Sequence, residues 1–161
     1  MLYVFMYLFA AVLANLAVTF FGPAAIPFTA FFLIGLDLTS RDKLHEAWHG
    51  KGLFWKMLML IATGSVTSYL LNKDAAQIAL ASFCAFAAAG VVDAIAYQYL
   101  YNQKWYIKVN GSNLFSALVD SLVFPYLAFG GLMPAIVLSQ FAAKFFGGLL
   151  WSWIIAKVSK K

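Results

Sequence analysis

The sequence predicts an all-α integral membrane protein: a six-transmembrane-helix bundle with a short cytoplasmic amphipathic helix between spans two and three. Three observations carry this expectation. Of 161 residues, 64% are hydrophobic and only 11% charged, whereas a soluble domain carries roughly 25% charged residues. The stretch from Met1 to Leu36 contains no charge at all, well beyond the ~20 apolar residues that cross a bilayer. The later apolar runs are divided by polar breaks of loop length. No linker rich in Pro, Gly or Ser interrupts them, so residues 1–161 are read as a single transmembrane domain.

Span one is placed at about 2–21 and ends at Gly22-Pro23. It lacks the positive n-region of a secretory signal and is expected to remain as a helix. Span two, about 24–38, carries Pro27 in its first turn, where a missing N–H matters little. Its length gives only ~22 Å of helix, so it either thins the bilayer or continues into the polar residues that follow. Those residues, from Asp37-Leu38-Thr39-Ser40 to about Trp48, form the expected amphipathic helix, and Gly50 and Gly52 end it. Spans three to six are placed at about 53–71, 75–101, 112–129 and 132–157. Cys84 is the only cysteine, which excludes an internal disulfide.

Charge sets the orientation. Six spans put both termini and the second and fourth loops on one side, with Arg41, Lys43, Lys51, Lys56, Lys104, Lys108, Lys157, Lys160 and Lys161. The other side has only Lys73. This positive-inside bias places both termini in the cytoplasm of a multi-pass protein of the cell (inner) membrane. All five tryptophans fall near the same side, as an interfacial belt requires. The net charge of +5 therefore reports orientation, and no nucleic-acid partner is expected.

Residues 45–49, HEAWH, spell the H-E-x-x-H zinc signature. On a helix His45 and His49 share a face, with Glu46 placed to activate a water. These are the only two histidines, so a third ligand has to be a carboxylate. Asp42 is on the same short helix, and Asp37, Asp93 and Asp120 are elsewhere. The context favours a juxtamembrane amphipathic helix, with no metal or other cofactor; a membrane metalloenzyme is the alternative reading.

The spans themselves hold three ionisable residues: Asp93 in span four, Asp120 in span five and Lys144 in span six. A charge at the bilayer centre costs ~2.5–3.5 kcal/mol even on the lenient insertion scale, so such residues face the bundle interior and mark a site or pathway. An Asp–Lys clamp between two helices is the purely structural alternative. Asn113, Ser116 and Asp120 fall at i, i+3 and i+7, Gln140 and Lys144 are four apart, and so are Asp93 and Tyr97; each charge shares a helix face with a polar partner. Asp93 and Asp120 each lie ~12 Å from the cytoplasmic end of their helix. VDAIAYQYL (92–100) and VDSLVFPYL (119–127) look alike, a weak hint of an inverted repeat. Two carboxylates and one ammonium leave a negative charge for a proton, ion or cationic ligand to complete. The carboxylates also accept paired N–H donors, as a guanine-like ring offers. The chemistry admits a small, polar, planar ligand without naming it.

The stretches PFTAFFLIGLDLTSRDKLHEAW (27–48), FAAAGVVDAIAYQYL (86–100), NGSNLFSALVDSLVFPYLAFGG (110–131) and the Lys144 helix resemble the VUT family, the queuosine-precursor transporters. The resemblance runs from Pro23 onward, and Asp37, the Asn113/Ser116–Asp120 stripe and the isolated Lys144 are its most specific parts. It implies a six-helix inner-membrane importer of a 7-deazaguanine such as preQ0 (7-cyano-7-deazaguanine) or preQ1. In that family HEAWH is similar to a D-L-x-x-R-D-x-L-H-x-x-W turn and helix, in which the second histidine need not matter. The residues and the resemblance together lead to the expectation of a uniporter or ion-coupled importer with its ligand between spans four, five and six. Asp93 and Asp120 are expected to accept the ligand's N–H groups, or one of them to carry a coupling proton, with Lys144 balancing their charge, Tyr97, Asn113, Ser116 and Gln140 orienting the ligand, and Asp37 and Arg41 in a cytoplasmic gate. The short N-terminus and Gly90 depart from the family pattern. No G-x-x-x-x-G-K-[ST] phosphate loop occurs, so a separate energising partner, or a homo-oligomer, stays open. A substrate-binding subunit of a multi-component vitamin transporter and a structural membrane protein are the remaining rivals.

Overall fold

The structure, a computed structural model, describes residues 1–48, 52–100, 102–103 and 105–158. Its helices are α1 (Leu2–Phe21), α2 (Ile26–Thr29), α3 (Gly35–Trp48), α4 (Leu53–Leu71), α5 (Ala76–Tyr99), α6 (Trp105–Phe129) and α7 (Pro134–Val158). Short 3-10 turns precede α2 and α5, and a π-helical segment, Ala30–Ile34, joins α2 to α3. Among the described residues, five helical stretches are long and apolar enough to cross a membrane, the first of them the run Leu2–Trp48.

That first run is not one rod. Gly22 has φ 67°, a left-handed conformation that side chains resist, and Pro23 follows it. The chain then folds back, so that α1 and α3 pack against one another. Val18 clusters with Ile26, Ala14 with Ile34 and Leu38, and Tyr7 with Leu44, which is the register of an antiparallel hairpin. Pro27 sits in the first turn of α2, where its lost N–H has no helical partner to miss.

The expected amphipathic helix after span two is not a separate element. The helix runs through Asp37-Leu38-Thr39-Ser40 without a break to Trp48. Leu38, Thr39, Ser40, Arg41 and Leu44 are all buried, so this segment enters the bundle instead of lying on its surface; from Gly35 to Trp48 only Glu46 and Ala47, near the end of the helix, are exposed. The hydropathy drop at Asp37 marks polar residues that find partners inside. Likewise α6 begins at Trp105, seven residues ahead of the predicted 112, and crosses Asn110-Gly111 as helix. A side chain at 111 would collide with Leu100 Cδ1 at 2.6 Å, so this glycine permits close packing and is not a helix break.

The exterior is apolar, with Phe5, Phe20, Phe28, Leu70, Leu138 and Phe146 all exposed. The interior is built from small residues, including Ala10, Ala14, Ala81, Ala85, Ala89 and Ala117. This arrangement suits lipid, where helices associate through close packing of small side chains and buried polar contacts. The tightest crossing joins Gly35 at the start of α3 to Gly147 in α7: a Cβ on Gly35 would stand 2.6 Å from the Gly147 carbonyl carbon. The Trp151 indole, one turn later, donates to the Phe32 carbonyl at 2.8 Å and secures the π segment to α7. Near Met1, Trp48 and the end of α7, Lys56 lies over Trp48 and Lys157 over Trp153. Lys51, Lys104, Lys160 and Lys161 lie outside the described residues.

Candidate functional site

Asp37, Arg41 and His45 recur every four residues on α3 and therefore share one face. Arg41 is 5% exposed and its Nη2 donates to Asn113 Oδ1 at 2.9 Å and to Ser116 Oγ at 3.3 Å, both on α6. The same nitrogen lies 3.6 Å from Asp93 Oδ1 on α5. Asn113 in turn donates from Nδ2 to Asp42 Oδ2 at 2.9 Å. One amide thus bridges the arginine and the aspartate next to it in sequence, and α3 is tied to α5 and α6 through a single polar knot. His45 Nδ1 stands 3.9 Å from Asp93 Oδ2, too far for a hydrogen bond.

A second polar group lies deeper in the bundle. Lys144 on α7, 1% exposed, is ion-paired and hydrogen-bonded to Asp120 on α6. Gln140, one turn before Lys144, is buried too, and both Asp120 Oδ1 and Gln140 Oε1 lack a hydrogen-bond partner. These three residues border a cavity of about 20 Å³ together with Asn15, Thr29 and Ser82. Asn15 donates to Ser68 Oγ (3.1 Å) and accepts from Ser82 Oγ (2.5 Å), linking α1, α4 and α5. Buried acceptors without donors cost about 1–3 kcal/mol each, so the space fits a water or the N–H groups of a bound molecule.

A larger cavity, about 380 Å³, lies between α1, α3, α4 and α5. Tyr7, Asp37, Arg41 and His45 supply its polar wall, and α4 and α5 supply an apolar one.

The expected site residues therefore separate into two groups. Asp93, Asn113 and Ser116 meet around Arg41, whereas Asp120, Gln140 and Lys144 meet at the α6–α7 contact. Tyr97 is half-buried one turn beyond Asp93. Arg41, expected in a gate with Asp37, contacts α5 through Asp93 and α6 through Asn113 and Ser116. Asp37 is 2% exposed, and its Oδ1 has no partner. As for the zinc reading, Glu46 is exposed and pairs with Lys43 at 3.0 Å, while His45 turns toward Asp93. His49 lies outside the described residues, and no group of three or more His, Cys, Asp or Glu able to hold a metal occurs among those described. Asp42 and Asn15 were missed as members of the polar network. Asn15 was visible in principle, as the lone amide in a charge-free apolar helix.

A family model described as "Putative vitamin uptake transporter" matches residues 1–158. No curated protein and no solved structure matches the chain.

Proposed function

The chain belongs to the vitamin uptake transporter family, and from that premise we propose that it imports a queuosine precursor, a 7-deazaguanine of the preQ0 or preQ1 type, across the inner membrane. The observation that carries this reading is the set of buried charges in an otherwise apolar bundle. Arg41, Asp93, Asp120 and Lys144 are each at most 5% exposed, and acceptor atoms of Asp93, Asp120 and Gln140 have no donor. Acceptors left unpaired by the protein exceed what an Asp–Lys clamp needs, and a ring presenting several N–H groups supplies their partners.

In this reading Asp93 and Asp120 accept ligand N–H groups or carry a coupling proton, and Lys144 balances their charge. Asn113, Ser116, Gln140 and Tyr97 set the orientation, and Asp37 and Arg41 on α3 gate the cytoplasmic side. The reversal at Gly22 and the antiparallel packing of α1 on α3 support six spans, with the hairpin supplying two. Lys43, Lys56 and Lys157 at one end against Lys73 at the other support cytoplasmic termini.

Thermal stabilisation of the purified protein tests the substrate class. A ligand at a hundredfold excess over its Kd raises stability by about 2.7 kcal/mol. preQ0 or preQ1 is expected to raise the melting temperature, while guanine, biotin and zinc leave it unchanged. A shift with biotin alone would retain vitamin transport and reject the deazaguanine.

A further inference from the structure

The 380 Å³ cavity between α1, α3, α4 and α5 is large enough for a small molecule, at the lower end of the roughly 300–1,000 Å³ typical of ligand pockets. Its walls differ in kind. Phe54, Met57, Ile61, Phe86 and Ile95 form an apolar slot, and Asp37 and Arg41 border it from α3. Both of these are at least nine-tenths buried, yet Asp37 Oδ1 and Arg41 Nε have no hydrogen-bond partner. Spaced one turn apart on one helix face, they set an acceptor beside a donor, neither of them paired within the protein. Groups left in that state destabilise the fold unless a bound molecule satisfies them.

One edge satisfies both: a ring N–H beside a ring carbonyl, as in a lactam. The N–H donates to Asp37 and the carbonyl accepts from Arg41, while the ring faces lie against Phe54 and Phe86. The geometry points to this cavity as the binding compartment for a planar heterocycle with a lactam edge, read by Asp37 and Arg41. The inference rests on the transport reading above and goes beyond it, adding a compartment on the face of α3 to the buried charges of α5, α6 and α7. An acyl chain fits the apolar slot, which opens past the exposed Phe54 and Ile95, but it has no group to offer Asp37 or Arg41.

Gly90 borders the cavity, and a Cβ placed there meets nothing within 4 Å; Ala87, three residues earlier, borders it too. Equilibrium binding of labelled preQ0, labelled guanine and a labelled pterin to the purified full chain, with competition against preQ0 by its 1-methyl derivative, is compared among wild type, Gly90→Phe, Ala87→Phe and Asp37→Asn. Both phenylalanine variants are expected to keep their unliganded melting temperature and to bind at least about tenfold more weakly, a loss of about 1.4 kcal/mol. Asp37→Asn is expected to weaken preQ0 binding comparably, and 1-methyl-preQ0, which lacks the edge N–H, not to compete. Wild-type affinity in both phenylalanine variants would overturn the assignment and leave a lipid-filled slot. Binding of guanine or the pterin but not preQ0, lost in Gly90→Phe, would uphold the cavity and reject the deazaguanine. A wild-type protein that binds none of the three labelled compounds would overturn both.

Discussion

Replacing Lys144 by methionine is expected to lower stability by about 3–5 kcal/mol, the usual consequence of removing one partner from a buried ion pair. The side chains of Lys144 and Asp120 are 1% and 6% exposed, so water does not replace the lost ammonium. Adding Asp120→Leu removes the stranded acid, and the double variant should recover most of the melting temperature, because a hydrophobic replacement of a whole buried pair is often neutral or stabilising. Uptake should not recover with it. The combination separates two roles that a single substitution confounds. If the double variant transports at the wild-type rate, the pair is a helix clamp and no part of the transport path.

The second large effect lies at the Gly35–Gly147 crossing. Gly147→Ala places a methyl against the Phe31 carbonyl oxygen, with the carbonyl carbon at 2.9 Å and the Cα at 3.0 Å. All three atoms are backbone, so no side chain can swing aside to relieve the clash. Overpacking of this kind costs about 1–3 kcal/mol, and here it also pushes α7 away from the π segment that Trp151 holds. Gly148→Ala meets nothing within 4 Å and exchanges the poorest ordinary helix former for the best, a gain of up to ~1 kcal/mol. Melting temperatures of the two single variants should therefore move in opposite directions. Equal shifts would show that the π segment and α7 do not approach this closely.

These contacts show where the sequence is informative and where it stops. Spans one and three were legible to the residue, since apolar runs bounded by Gly22-Pro23 and by Gly52 and Asn72 leave little choice. Asp93, Asp120 and Lys144 were legible as buried, because lipid makes an outward-facing charge too costly. Their partners were not. Lys144 meets Asp120, but Asp93 meets Arg41, a residue that hydropathy assigned to a surface helix. Periodicity gives the face on which a residue sits, not the rotation of that face relative to a neighbour. For the same reason the split of the polar residues into two groups, and the cavity on the α1–α3–α4–α5 side, depend on helix rotation and splay that no spacing encodes. HEAWH is the opposite case. Its letters match a metal motif, yet Glu46 turns to Lys43 and solvent while His45 turns inward.

The central claim is import by this chain, and uptake of labelled preQ0 into proteoliposomes containing only the purified protein tests it most directly. The account predicts accumulation that excess unlabelled preQ0 suppresses and that Asp120→Asn abolishes at equal protein loading. No uptake by a protein that nonetheless binds preQ0 would contradict autonomous transport and make the chain the binding subunit of a larger machine. Uptake unchanged in both Asp120→Asn and Lys144→Ala would contradict the placement of the site in the buried charges.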